Sequence, residues 1–380
     1  MFLLYVTYLA AKNVYTSEII EIVRHFGVSK SDASAAASFS FFAYALCQIP
    51  FVKLIKKLDI RKYLLICSPV SAALYALVPF CPDIRLVWVI FALEGALLTG
   101  VFPVCMVVIS EYLPDKLIPR ANRYTGYAFA LSFALDYFCS ALFIHTADWR
   151  LGFFVFPALY MLTVIFFCRV LSICPKQIRE EEKKEKRKTD KKAVFRYLFV
   201  SGTICLLVNL IYYAVSGWVP NMLSEVFGLT PALSVLITLL IPLTGAAGAA
   251  VCLELCRRFA FRRVVIIFTL AALAVSAALT AFYGLWLVMT LMLVVLLLFD
   301  VRGLAHVFGW QVPVDSKDIM NPASAATVIN IFGCIGAAAG PPLFGALADN
   351  AGYAAFFGAA AICSAVLCVF TLADGKKKTV

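Results

Sequence analysis

The sequence predicts an all-α membrane protein of twelve transmembrane helices in two pseudo-symmetric six-helix bundles. Three observations carry that expectation. The 380 residues are 63% apolar and 14% charged, with a mean hydropathy of +0.93, more apolar than a soluble domain can bury. The apolar residues fall into runs close to the roughly 20 residues a helix needs to cross a hydrocarbon core about 30 Å thick. Finally, KKLDIRK (Lys56–Lys62) returns as RRFAFRR (Arg257–Arg263), 201 positions later, with two cations, three other residues and two more cations in the same order.

The predicted spans are 1–23, 31–53, 62–82, 86–112, 122–146 and 151–173, then 195–217, 230–254, 263–283, 285–311, 321–346 and 352–373. MFLLYVTYLAA at the start has no basic leader and runs on into Lys12 and Asn13, so it reads as a span and not as a cleaved signal. Between the sixth and seventh spans lies CPKQIREEEKKEKRKTDKKAVFR (Cys174–Arg196), the one long polar segment. It reads as a charged tether with an electrostatic preference for anionic headgroups. The domain expectation is therefore a bundle over 1–173, a linker over 174–194 and a second bundle over 195–380. Each basic knot follows the second span of its half, so the two are equivalent loops of a repeat. SAAL at Ser71–Leu74 and again at Ser276–Leu279 adds to this.

Lys and Arg set the orientation. Lys53, Lys56, Lys57, Arg61 and Lys62, then Lys116, Arg120 and Arg123, Arg257, Arg258, Arg262 and Arg263, the Lys317 loop, the linker and Lys376–Lys378 fall on one side. Only Arg24, Lys30, Arg85 and Arg150 fall on the other. The positive-inside bias then makes both termini cytoplasmic in a cell membrane. The net charge of +11 resides in these short loops, which argues against nucleic acid as a partner. Thirteen cysteines show no paired spacing for zinc or for a secreted disulfide scaffold and read as small core residues, so no metal is expected. There is no P-loop, HExxH, GxSxG or dinucleotide fingerprint. The chain is expected not to be an enzyme, to need no cofactor, and to draw energy from a gradient instead of ATP.

An ionised group at the bilayer centre costs about 2.5–3.5 kcal/mol or more unless it faces protein or water, so charges inside spans mark candidate sites. Lys12, with Asn13 beside it, either grips an anionic solute or pairs with a carboxylate. Glu94 and Asp136 are candidate proton carriers, the alternative being permanent pairing across helices. Asp300 and Arg302, two apart on a helix, point in different directions, and His306 follows one turn on. Asn209, Tyr212, Tyr213 and Asn330 are uncharged groups suited to orient a solute or, for the rings, simply to pack. Glu18, Glu21 and Arg24 read as an interfacial set in which Glu21 meets Arg24. The third, sixth, ninth and twelfth spans have no interior charge. GAAGAA (Gly245–Ala250), Gly333, Gly336 and Gly340 allow close helix approach, whether for sliding or for static packing.

Over nearly its whole length the chain resembles the major facilitator superfamily. PFVKLIKKLDIRK keeps the basic positions Lys57 and Arg61 of that family's gate loop, which includes Lys56, but has Val52 where the family has glycine and Lys56 where it has an acid. YLAAKNVY (Tyr8–Tyr15), AYALCQ (Ala43–Gln48), GVFP (Gly100–Pro103), YYAVSGWVPNML (Tyr212–Leu223) and SAATVINIFGCIGAAAGPPLFGALAD (Ser324–Asp349) resemble its organophosphate:phosphate antiporter branch. The two phosphate-binding arginines of that branch fall at Ala11 and Tyr212 here. The resemblance implies two six-helix halves and alternating access with solute held near the midplane. The expected function is a secondary transporter, a monomer in the lipid bilayer, moving a small polar or organic-anion solute by proton symport or exchange. The rival is a carrier-like sensor that binds solute without moving it.

Overall fold

The computed structural model describes residues 1–54, 58–146, 148–174, 191–315 and 322–373, and every element among them is helical. In order these are α1 (Phe2–Ser17), α2 (Ile19–Phe26), α3 (Lys30–Leu54), α4 (Ile60–Leu77), α5 (Ile84–Leu97), α6 (Val101–Tyr112), α7 (Ile118–Thr146) and α8 (Gly152–Ile173). There follow α9 (Lys191–Phe227), α10 (Pro231–Thr238), α11 (Leu240–Arg258), α12 (Phe261–Phe282), α13 (Leu287–Asp315) and α14 (Pro322–Ala373).

Nine segments among the described residues are long and apolar enough to cross a membrane. One of them, Ala325–Leu372, is two crossings, because α14 breaks at Gly352, whose φ of 74° only glycine adopts readily. Phe2–Phe26 and Lys30–Leu54 complete the twelve. The helix of the seventh crossing, α9, runs ten residues past its predicted end at 217, to Phe227, and the other departures beyond a few residues at the ends are interruptions within crossings. Glu18 separates α1 from α2, a 3₁₀ turn at Leu98–Gly100 separates α5 from α6, and Leu239 separates α10 from α11. Phe26-Gly27 and Phe227-Gly228 end the first and seventh crossings with glycine φ values of 59° and 66°. Their spacing is the same 201 positions as the basic knots, so the turn geometry repeats with the sequence.

Helix starts follow from short acidic or hydroxyl caps. Asp59 accepts from the Arg61 and Lys62 amides, Asp83 from Arg85, Asp148 from Arg150 and Thr230 from Leu233. The distribution of side chains is the inverse of a soluble protein. Phe42, Ile66, Phe166, Ile267, Trp286 and Ile362 stand exposed, while Ser17, Glu18, Ser68, Glu94, Asp136 and Ser276 are fully buried. With no water in hydrocarbon, polar groups turn inward and apolar ones face lipid.

Contacts group the chain into two units: Met1–Val28, Phe39–Lys184 and Thr230–Pro242 in the first, Ser29–Ser38, Glu185–Leu229 and Leu243–Val380 in the second. In the first, α1 packs on α7 and α8, α4 on α8, and α10 on α7. Thr7 bonds Thr163 at 2.6 Å and Ser68 donates to the Tyr160 hydroxyl at 3.0 Å, tying α1 and α4 to α8. In the second, α9 packs on α13 and α14, and α12 on both. Trp218 donates its indole N–H to the Pro341 carbonyl at 2.8 Å, an oxygen inside the Pro-Pro step of α14. At the start of α3, Lys30 Nζ lies 2.8 Å from Asp349 and 3.0 Å from Glu225. The Lys30 amide donates to Asp349 at 2.8 Å, and Tyr353 donates to Glu225 at 3.1 Å.

Candidate functional site

In the first unit, Lys12 sits midway along the first crossing, half-buried on α1. Its Nζ lies 4.8 Å from the centre of the Phe41 ring and 4.5 Å from that of Tyr44. These rings are three residues apart on α3, one face of a helix, and together form an aromatic seat for the ammonium. Among the described residues no carboxylate lies within ion-pair distance of Lys12. Asn13, next in sequence, is nine-tenths buried and, among the described residues, its side-chain Nδ2 has no hydrogen-bond partner. Two donors without acceptors thus lie together on α1.

Glu94 is fully buried on α5, near the Tyr75 hydroxyl, and accepts a 2.7 Å hydrogen bond from Ser40 on α3, while among the described residues its other oxygen has no donor in hydrogen-bond geometry. The bond depends on Gly95. A Cβ there would fall 2.1 Å from the Ser40 carbonyl oxygen, so only glycine lets α3 and α5 approach this closely.

Asp136 is fully buried on α7. Ser17 donates to one of its oxygens at 3.2 Å and lies 2.8 Å from Ser140, one turn further along α7. Glu18 adjoins this group at the break between α1 and α2, with φ −93° and ψ 9°. It is 0% exposed, with the Ser140 hydroxyl near its carboxylate, and among the described residues neither carboxylate oxygen has a donor in hydrogen-bond geometry. Glu18 and Asp136 are near enough to repel when both are charged, and Glu21 and Asp148 add to the negative field at Glu18. The interfacial reading of Glu18 therefore does not hold: α7 and the start of α8 cover it, with Gly152 beside its Oε1. Glu21 and Arg24 do pair, at 3.2 Å. The signal available in the sequence was Asp136 and Ser140 at i, i+4 on one helix face, which needs a polar neighbour opposite.

One hydroxyl carries one proton, which sets the chemistry of this cluster. Ser17 is within bonding distance of the Val14 carbonyl, Asp136 and Ser140 together, and can donate to only one of them. Two hydroxyl protons face four carboxylate oxygens and a carbonyl, with no basic side chain in ion-pair contact among the described residues. Such a set leaves most of its buried acceptors without a donor among the described residues.

In the second unit, Arg302 on α13 lies over the Tyr212 ring, 5.0 Å from its centre, and its stem passes Gly245 of α11. Tyr212 is buried on α9 and meets Tyr213 edge-on at 5.4 Å. Asn209, one turn earlier, is spent locally: its Nδ2 donates to the Cys205 carbonyl at 2.8 Å. Gly333 of α14 lies against Asn209, and Asn330 precedes Gly333 by one turn, half-buried. Asp300 is buried on α13 towards Cys252 and not towards the Arg302–Tyr212 stack, as the two-residue spacing requires. His306 lies on the Arg302 side.

Of the gate loop, Lys56 and Lys57 lie outside the described residues. Arg61 is exposed in the first turn of α4, 3.9 Å from Asp59. Against the opposing push of burial, the Arg61 and Lys62 amides and the charges of those residues hold the Asp59 carboxyl below its ordinary value.

Comparison with known proteins agrees with this architecture. The profile of the Major Facilitator Superfamily matches residues 1–337. Among solved structures, a bacterial homolog of the human lysosomal transporter Spinster, inward-facing and occupied, superposes with a TM-score of 0.80 at 13% identity, over 98% of this chain and 94% of its own. A D-xylose-proton symporter gives 0.76 at 13% identity, over 97% and 95%. The nucleoside transporter NupG gives 0.72 at 12% identity, over 99% and 97%. No curated protein matches. At such identities the structures share the fold alone, while the profile covers most of the chain. The chain belongs to the Major Facilitator Superfamily and is a multi-pass membrane transporter, not an enzyme.

Proposed function

We propose that the chain is a secondary active carrier that moves a small organic anion by alternating access, driven by a proton gradient or by exchange. The observation that carries the reading is Lys12. A lysine in mid-span has aromatic faces around it and, among the described residues, no carboxylate against it, so an anionic solute group supplies the missing partner. Each cation–π contact contributes about 0.5–2 kcal/mol, which offsets the cost of about 2.5–3.5 kcal/mol for placing the charge there without neutralising it.

The resemblance to the organophosphate:phosphate antiporter branch fits this reading in an altered form. Ala11 and Tyr212 stand where that branch has arginines. Lys12 follows the first, and Arg302 brings a guanidinium onto the ring of the second. The candidate solute-contacting groups are Asn13 beside Lys12 in the first unit and, in the second unit, Tyr212, Tyr213, Arg302 and Asn330. Asn209 supports α9, and Asp300 serves as a flanking polar group.

Asp136 is the coupling carboxylate, with Glu18 as its partner, and Glu94 is a second proton-bearing site held by Ser40. The remaining parts of the proposal are topological. Bundles 1–173 and 195–380 flank the 174–194 linker, both termini are cytoplasmic in the plasma membrane, and Lys56, Lys57 and Arg61 line the cytoplasmic gate loop of a monomer.

The test is a thermal-stability screen of the purified protein against phosphorylated sugars, neutral sugars, carboxylates and amino acids, repeated with Lys12→Ala. Anionic compounds should raise the melting temperature of the wild type and not of Lys12→Ala. Stabilisation by a neutral sugar alone, unchanged in the variant, would overturn the reading.

A further inference from the structure

The turn between α11 and α12 carries four arginines, Arg257, Arg258, Arg262 and Arg263, and one nearby acid, Glu254. Glu254 is already engaged: Arg258 Nε lies 2.8 Å from one of its oxygens and Arg257 lies 3.5 Å from the other. Arg262 and Arg263 are exposed and have no carboxylate within ion-pair distance among the described residues. They occupy the first turn of α12, the positive end of the helix dipole, where a cation weakens the helix. Neither helix stability nor an internal pair explains why they are there.

Beside them is a half-open groove of about 160 Å³, lined by Leu255, Phe259, Arg263, Val264, Ile267 and Phe268. Its lining is apolar apart from the arginine. Phe259 and Ile267 are 52% and 56% exposed. Its α12 lining, Arg263, Val264, Ile267 and Phe268, covers little more than one turn from the charged end of that helix. An apolar groove with Arg263 in its lining and Arg262 next to it in sequence, neither with a carboxylate partner among the described residues, matches one occupant in charge and polarity: a lipid whose acyl chain enters the groove and whose phosphate meets Arg262 and Arg263.

We infer that Arg262, Arg263 and the α11–α12 groove form a binding site for an anionic phospholipid. A purely topological role for the arginines would need their charge and not the groove. The site also differs from the equivalent turn in the first half, where Asp59 lies beside Arg61. Each basic side chain near an anionic headgroup is worth about fivefold in affinity, so the pair should favour an anionic over a zwitterionic lipid by roughly 25-fold.

The experiment is delipidated full-length protein in detergent, titrated with phosphatidylglycerol or phosphatidylcholine and read by native mass spectrometry and melting temperature. Phosphatidylglycerol should bind and stabilise selectively. The preference should vanish in Arg262→Ala/Arg263→Ala, persist in Arg257→Ala, which leaves both α12 arginines and the Arg258–Glu254 pair in place, and fall in Ile267→Trp, which fills the groove without altering charge. Glycerol phosphate, a headgroup without acyl chains, should not reproduce it. Equal binding of both lipids would overturn the site, as would selectivity that survives the double arginine variant. Full phosphatidylglycerol selectivity in Ile267→Trp, or an equal response to glycerol phosphate, would overturn the acyl seat and leave only a surface anion patch.

Discussion

Replacing Lys30 tests how far an ion cluster at a helix start holds the second unit together. Its side chain is 11% exposed, and Nζ contacts Asp349 and Glu225, themselves 26% and 45% exposed. Exposed pairs are worth about 0.2–1 kcal/mol each, whereas breaking a buried pair costs about 3–5 kcal/mol because a charge is left uncompensated. Lys30 is nearly buried and its partners are half-open, so Lys30→Met, which keeps the aliphatic stem, should cost about 2 kcal/mol, between those limits. Two carboxylates then face each other across the vacated position, and Tyr353 can satisfy only Glu225. Adding Glu225→Gln and Asp349→Asn removes the repulsion, so the triple variant should recover most of the loss. Thermal unfolding in detergent at low and high salt provides the assay. A single variant as stable as the wild type, or a triple variant less stable than the single, would refute the reasoning.

Three further outcomes are expected. Gly95→Val should destabilise by about 3 kcal/mol or more and yield little folded protein, because its Cβ meets the Ser40 carbonyl; normal yield by size-exclusion chromatography would contradict the close α3–α5 contact. Trp218→Phe should cost about 1–3 kcal/mol by removing the hydrogen bond to Pro341 and part of a buried ring, read as a lower melting temperature. Glu18→Gln and Asp136→Asn should each abolish uptake driven by a pH gradient in proteoliposomes while leaving solute exchange at equal pH measurable; an unchanged response to the gradient would remove both residues from coupling.

Much of the fold was legible because lipid imposes a length and a polarity on every crossing. The division of α14 at Gly352 falls where the spans 321–346 and 352–373 part, and Glu94 and Asp136 are buried as their position within spans implied. What escaped the sequence were relations between helices. Phe41 and Tyr44 form the seat for Lys12 from another element, and a hydropathy profile records them only as apolar. Arg302 reaches Tyr212 across a gap that Gly245 leaves open, a contact that no spacing along α13 expresses. Glu18 was placed by its distance from the end of a span, whereas its burial depends on the neighbouring α7 and α8. The interruptions at Glu18, Leu98–Gly100 and Leu239 were also hidden, because a short break leaves the apolar run unchanged.

Counterflow in proteoliposomes tests the central claim most directly: vesicles preloaded with an organic anion, diluted into a trace of the labelled compound, with wild-type protein and with Lys12→Ala. A carrier with Lys12 as its anion contact should accumulate label transiently in the wild type and not in the variant. Binding of the anion without counterflow by the wild type would make the chain a sensor built on a carrier's fold, and counterflow untouched by Lys12→Ala would place the anion contact elsewhere.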